Sequence, residues 1–267
     1  MSADSYLLGG QPSELERLQL QSKVWEPSGR RLLGEIGDGR DLRVLDIGCG
    51  ALGWLRLLSE WVGPQGQVVG TDIDEKLLGA ALKSLQAEGM SNVELVVDDV
   101  FNSQLEPQSF DLVHARFIIA PLGRGSELVT IFRSLVKPRG WLVLEEWEFG
   151  PWHFNPPAPA AERLIRLIDE IFSHLGGEAG RELPALLREA GIGDPQIDAH
   201  VVALAPGNPY LRLPLQFSVS LEPRLLKLVT GEELEALRRD AEAELAEPHR
   251  WGTTPMVIQS WGQCRYL

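Results

Sequence analysis

One run constrains this chain more than any other: Val44-Leu45-Asp46-Ile47-Gly48-Cys49-Gly50-Ala51-Leu52-Gly53. The apolar residues from Leu42 to Ile47 suit a buried parallel strand, and the residues after the glycines open a helix. Gly48 and Gly50 let the backbone turn tightly and approach a ligand with no Cβ in the way. Such a turn makes a nucleotide-sized crevice at the carboxyl end of a parallel sheet. Gly48, Gly50 and Gly53 also satisfy GxGxxG, a pattern that does not separate one nucleotide ligand from another. Asp46 separates them. A dinucleotide site offers a bare glycine turn and a helix N-terminus to an anionic pyrophosphate. A carboxylate two residues before the first glycine repels that group and suits a ligand bearing positive charge, such as an ammonium and a sulfonium.

Further strand-end motifs follow in order. Gln67-Val68-Val69-Gly70-Thr71-Asp72 is a second apolar strand ending in an acid, followed by Ile73. Asn92 to Val100 forms a third, closing on Asp98-Asp99-Val100, and Phe110-Asp111-Leu112-Val113-His114-Ala115-Arg116 a fourth. Leu135 to Leu144 reads as a helix end, a turn at Lys137-Pro138-Arg139-Gly140 and a fifth strand. Together these motifs resemble the class I S-adenosylmethionine-dependent methyltransferases, whose first motif looks like VLDIGCG. The resemblance implies an α/β, Rossmann-like fold: a seven-stranded, mostly parallel sheet with the last strand antiparallel, plus a helical lid. It implies S-adenosyl-L-methionine as cofactor, with Asp46, Gly48, Cys49 and Gly50 around the glycine turn and Asp72 on the two ribose hydroxyls. Two acceptor oxygens facing two vicinal hydroxyls explain that residue type. It further implies Ile73 on the adenine face, Asp99 (favoured over Asp98 by spacing) and Val100 at the adenine edge, and Ala115 after the fourth strand.

Composition sets outer bounds. The chain has 267 residues, enough to bury one large core with accessory segments. Its 38 acidic residues against 25 Lys and Arg give a net charge of −13, which disfavours nucleic-acid phosphate or anionic lipid as the main partner. Two cysteines, Cys49 and Cys264, make neither a disulfide framework nor a zinc cluster, so no metal is expected. Nothing resembles a signal peptide or a membrane span, and the expected compartment is cytoplasmic. The oligomeric state is not legible.

The expected organisation is an N-terminal helical lid segment over 1–36, an α/β core over 37–205, a helical lid insertion over 206–253 and a C-terminal edge strand over 254–267. Pro12, Ser13 and Glu16 have capping-box spacing and start a helix over 12–21; a second helix is expected over 26–36. Core helices are expected over 54–62, 75–88 and 126–135, with later helices over 160–175, 182–190 and 231–246. A sixth strand is expected over 197–204. The start of the chain resembles a bacterial small-molecule subgroup of the family, in which the N-terminal helix crosses the cofactor mouth. Arg17 and Gln21 lie one helical turn apart, so both can face one ligand, with a donor for the cofactor's carboxylate.

Methyl transfer from a sulfonium is an in-line displacement, and positioning can supply most of its catalysis. His114 is the sharpest base candidate, since it follows the fourth strand and ordinarily titrates near neutrality; the alternative is a half-buried, hydrogen-bonded support. Glu146 and His153 are further candidates, Glu146 sharing a strand face with Glu148 and opposing Glu145. Arg116 reads best as the ion-pair partner of an acid such as Glu145. Tyr6, Trp152 and Phe154 are candidates for holding a flat acceptor, and Trp147 reads as core. His174, His200 and His249 read as structural or surface. The expected partner is a small-molecule acceptor, apolar or aromatic, with methyl going to carbon, nitrogen or oxygen. The alternatives are a non-catalytic cofactor-binding protein and an enzyme of the same fold that uses the cofactor for another reaction, such as a cyclisation.

Overall fold

A computed structural model describes residues 12–148, 150, 152–174 and 180–264. The apolar runs form strands β1 (Arg43–Ile47), β2 (Gln67–Asp72), β3 (Val93–Val97), β4 (Phe110–Arg116) and β5 (Val136–Glu148), which pair in parallel in the order β3-β2-β1-β4-β5. Between them run α2 (Leu55–Val62), α3 (Glu75–Ala87), the short α4 (Ile119–Leu122) and α5 (Gly125–Leu135). Strand order reverses beside β1, so the carboxyl ends of β1 and β4 diverge into a crevice, the place where open α/β sheets bind ligands.

Period-two alternation gives the sheet two faces. Leu45, Ile47, Val113, Ala115, Leu142 and Leu144 pack under α5 and α7 (Leu183–Glu189). Val44, Val68, Leu112, Val143 and Trp261 pack under the end of α1 (Pro12–Ile36), α2 and α3. Asp46, His114, Glu145 and Gln259 follow the alternation of this second face.

The last long strand, β10 (Met256–Gln263), is antiparallel to β5 as expected, but it is not an edge. It lies between β5 and β7 (Gln196–His200), with which it is also antiparallel. Its run from Val257 to Gly262 is buried throughout, and a strand buried on both faces needs a neighbour on each side to satisfy its backbone. The strand expected over 197–204 divides: β7 stays in the main sheet, while β8 (Ala203–Leu204) joins a second, three-stranded sheet of order β6-β9-β8, with β6 (His153–Asn155) and β9 (Trp251–Thr253).

The two helices expected before the core are one, α1, which runs through Pro27. Proline removes one helix hydrogen bond, and tertiary burial on both sides of it carries the helix past that gap. Arg17 and Gln21 are buried before it, Leu32 and Leu33 after it. Trp25 is fully buried, meets Trp147 edge to face with 5.6 Å between ring centroids, and donates from Nε1 to the Tyr210 hydroxyl at 3.2 Å.

A cap with its own core stands over the crevice. It is built from α6 (Pro159–His174), α8 (Leu213–Ser220), α9 (Glu222–Leu225), α10 (Gly231–Leu245) and the small sheet, packed around Phe154, Leu164, Tyr210, Leu225 and Leu245. It is therefore larger than an insertion over 206–253, because α6 and β6 belong to it. No helix among the described residues is long and apolar enough to cross a membrane. Trp25 ties α1 to both the main sheet and the cap, so Trp25→Ala is expected to lower unfolding free energy by about 3–5 kcal/mol, the range for emptying a large buried aromatic site. Urea denaturation of the two proteins checks this; a loss below about 1 kcal/mol would contradict the anchoring role.

Candidate functional site

The glycine turn forms as its sequence requires. Gly48 and Gly50 have φ of 63° and 55°, values that side-chain-bearing residues avoid. A Cβ on Gly48 would lie 2.1 Å from Ile118 Cδ1. The turn is held from both sides: Cys49 N–H donates to the Thr71 carbonyl at 2.9 Å, and Gly50 N–H donates to Asp72 Oδ2 at 2.9 Å. Asp72 Oδ1 accepts from Asp74 N–H at 2.9 Å. Burial raises the Asp72 pKa and these backbone donors lower it, with burial prevailing.

Asp46 is buried and holds two partners of its own. Its Oδ2 accepts from Trp54 N–H at 3.0 Å, which fixes the entry to α2. Its Oδ1 meets His114 Nδ1 at 2.7 Å, and His114 Nε2 meets Glu145 Oε1 at 3.0 Å. Ionised carboxylate oxygens only accept, so with both acids ionised both ring nitrogens donate and His114 is an imidazolium, the state that its raised pKa and the lowered pKa of Glu145 favour. Burial opposes that charge, but the hydrogen bonds to Asp46 and Glu145 outweigh it and raise the His114 pKa. Burial likewise opposes the Glu145 carboxylate, and His114, Arg116 and Gln259 outweigh it and lower its pKa. The Trp54 ring stacks on His114, with 3.8 Å between centroids and 17° between planes. The network continues outward: Gln259 Nε2 donates to Glu145 Oε2 at 2.7 Å, and Gln259 Oε1 lies 2.9 Å from His200 Nε2.

These groups border one continuous recess of about 1690 Å³, open solvent at its mouth included. Its inner end is lined by Asp46, Gly48, Cys49, Gly50, Asp72, Ile73, Asp99 and Val100. Arg17 and Gln21 of α1 roof it, joined by a 2.7 Å hydrogen bond from Arg17 Nη1 to Gln21 Oε1. The Arg17 guanidinium also lies 5.2 Å from the Phe217 ring centroid of α8. The outer end is lined mostly by Phe117, Trp147, Trp152, Ile168, Phe172 and Phe217. Trp147 and Phe117 stack at 4.3 Å, so Trp147 is a cavity wall as well as core.

Several expected site residues are placed elsewhere. His114 borders the recess, but both its nitrogens are committed, which unfits it as a proton acceptor and makes it a support for Asp46. Glu146 is buried off the cavity, where its Oε1 accepts from Ile119 N–H at 2.6 Å at the start of α4. Burial pushes its pKa up to about 8. His153 is exposed on the small sheet and does not line the recess. Phe154 packs into the cap core behind Trp152. Ala115 points to the opposite sheet face from His114, under α5. Tyr6 lies outside the described residues.

Residues of α6 were not foreseen at the cavity. Ile165, Ile168, Asp169 and Phe172 line it. The signal was available as helical spacing, but an Asp within an amphipathic stripe reads from sequence as a boundary of the polar face. Among the described residues no cluster of His, Cys, Asp and Glu is arranged to hold a metal ion.

The family model for a methyltransferase domain matches residues 38–187, more than half of the chain. The chain belongs to the methyltransferase domain family. A demethylmenaquinone methyltransferase of Geobacillus kaustophilus is 28% identical over 178 residues, which is 61% of this chain and 76% of the relative. Among solved structures, an S-adenosylmethionine-dependent methyltransferase from Aquifex aeolicus superposes with a TM-score of 0.54 at 23% identity, over 73% of this chain and 93% of its own. The YcgJ protein of Bacillus subtilis superposes with a TM-score of 0.60 at 18% identity, over 90% and 100%. This methyltransferase takes S-adenosyl-L-methionine as cofactor, and the recess fits it: Gly48, Cys49 and Gly50 line its inner end, and carboxylates stand at the ends of β1, β2 and β3.

The Asp46–His114–Glu145 cluster has a measurable pH signature. His114 is raised above its ordinary value of about 6.5, so its contribution to stability is complete below that pH and is lost as pH rises through the higher folded value. Glu145 is lowered, so its contribution is present above its ordinary value of about 4.3 and is lost as pH falls through the lower one. His114→Gln is expected to cost about 3–5 kcal/mol at neutral pH, because it leaves buried carboxylates without their cation. It should also remove the loss of stability on the alkaline side. Urea midpoints at several pH values test both, and an unaltered alkaline limb would refute the imidazolium assignment.

Proposed function

We propose that this methyltransferase transfers the cofactor's methyl group to a small, largely apolar or aromatic acceptor bound between the sheet and the cap. The observation that carries the reading is the continuity of the recess, acidic and glycine-lined at its inner end and aromatic at its outer end. In this reading Asp72 accepts hydrogen bonds from the ribose hydroxyls. Ile73, Asp99 and Val100 border the adenine, and Gly48, Cys49 and Gly50 let the backbone approach closely. A carboxylate offers about four acceptor sites, so Asp46 can hold His114, Trp54 N–H and the cofactor's ammonium together. Arg17 and Gln21 close over the carboxylate end. When bound, the cofactor supplies an activated methyl and leaves as a neutral thioether.

The outer end then takes the acceptor. Trp152 and the stacked pair of Trp147 and Phe117 offer flat apolar faces, which suit a ring. The cap excludes water from the reacting atoms, and holding acceptor and methyl in line supplies much of the rate. A demethylmenaquinone methyltransferase among the relatives is in keeping with a small-molecule acceptor.

Asp72→Ala is expected to weaken S-adenosyl-L-methionine binding by about 1.5–3 kcal/mol, the size of lost hydrogen bonds to a charged group; calorimetry showing unchanged affinity would sink that assignment. Gly50→Val should abolish cofactor binding while the protein stays folded, since φ of 55° strains a branched residue and its side chain fills ligand space. Transfer of labelled methyl to aromatic acceptors from a compound library tests the reaction itself. Transfer confined to polar acceptors without a ring would overturn the acceptor class.

A further inference from the structure

Two charged side chains of the outer chamber have no role in the cofactor half. Arg116 leaves the end of β4 with its side chain buried, and its Nη1 has no hydrogen-bond partner. The nearest acid oxygen, Glu145 Oε1, is 4.0 Å away and already faces His114 Nε2 at 3.0 Å. The other Glu145 oxygen accepts from Gln259. Arg116 therefore adds its charge to the compensation of Glu145 without hydrogen-bonding it, and its Nη1 keeps a donor for something else. The guanidinium lies 5.6 Å from the Phe117 ring centroid, at the cavity wall.

Asp169 is the second group. It lies on the cavity-facing stripe of α6 with Ile165 one turn before it and Phe172 about one turn after it. Burial pushes its pKa up to about 7, with no hydrogen bond or cation among the described residues offsetting it. A polar group in apolar surroundings is costly unless something pairs with it. Here two such groups border the chamber that the proposed function gives to the acceptor.

We propose that Arg116 and Asp169 are the acceptor's polar contacts and that the acceptor is a hydroxyarene bearing a second, anionic oxygen group. Arg116 Nη1 donates to the anionic oxygen. Asp169 accepts the hydroxyl proton: the O–H bond breaks, its electron pair stays on the acceptor oxygen, and the proton passes to a carboxylate oxygen of Asp169. A base that titrates close to neutrality is well matched to that task. The aromatic walls hold the ring between the two contacts. This inference rests on the assignment of the outer chamber to the acceptor.

The test uses the full chain with S-adenosylhomocysteine and three probes: 6-hydroxy-2-naphthoate, whose two groups cannot bond each other, 2-naphthol without the carboxylate, and 2-naphthoate without the hydroxyl. Calorimetry is expected to show the first binding about tenfold or more tighter than either other probe, as hydrogen bonds to charged groups imply. Arg116→Gln should erase its advantage over 2-naphthol, and Asp169→Asn its advantage over 2-naphthoate, with S-adenosylhomocysteine affinity retained. Equal affinity for the three probes, no binding of any, or an unchanged preference in folded variants would overturn the proposal. The probe comparison on the unaltered chain decides the matter if a variant does not fold. Should the probes bind as expected while S-adenosylhomocysteine does not, the cofactor assignment fails and this one stands.

Discussion

A carboxylate buried at the end of β1 requires a positive partner, and the rest of the site hangs on how that requirement is met. His114 stands opposite Asp46 in the β1–β4 register, so the two side chains emerge side by side on one sheet face. Glu145 on β5 and Gln259 on β10 are also register partners, and they carry the polar line onward to His200 on β7. One hydrogen-bonded chain therefore crosses five adjacent strands beneath the ligand recess. An isolated buried carboxylate or imidazolium would be strongly disfavoured, and removing one member of such a chain exposes its neighbours to the full desolvation penalty. The chain also fixes the turn: the Asp46 oxygen not used by His114 holds Trp54 N–H, and Trp54 in turn stacks on the His114 ring.

This arrangement changes what His114 can do. A histidine used as a base needs a free nitrogen lone pair facing the acceptor. Here the ring is spent on charge balance, and its positive charge offsets Asp46 and Glu145 before any ligand arrives. Asp46 is thus one of two anions that share one imidazolium rather than a lone anion.

The inner end of the recess was legible in the sequence because its signals are local. The glycine turn at Gly48 and Gly50, the strand-ending Asp72 and the Asp98–Asp99 pair each follow an apolar strand, and parallel pairing brings the ends of those strands together. The antiparallel last strand was also legible, but its interior position was not, since strand order depends on which edge the chain returns to. His114 was read as a candidate base, whereas both its nitrogens have carboxylate partners in the structure, a contact not legible because the distance from His114 to Glu145 depends on the β4–β5 register. The cap was the least legible part. Pro27 suggested a break in α1 that the burial of Trp25 and Leu32 overrides. The stretch over 197–204 shows one alternation but serves two sheets. Asp169 and Arg116 gain their character from burial supplied by distant elements, which no local pattern reports.

The two halves of the recess rest on different cores, and this separation carries a physical consequence. The inner wall is made of strand ends whose positions are set by the hydrogen-bond registers of the large sheet. A shift of one residue there would turn every side chain to the opposite face. The outer wall is set mainly by α6 and α8, which pack into a cap core built around Phe154, Leu164, Tyr210 and Leu245. Helix packing tolerates small volume-conserving changes far better than a sheet tolerates a change of register. Substitutions at Ile165, Ile168, Phe172 or Phe217 can therefore reshape the outer chamber while Asp46, Asp72 and the glycine turn stay in place. Trp25 and Trp147 limit that independence, since their edge-to-face contact joins α1 to the end of β5 where the two halves meet. The outer chamber can thus change shape through the cap helices, whereas a change at the Trp25–Trp147 contact disturbs both ends of the recess at once.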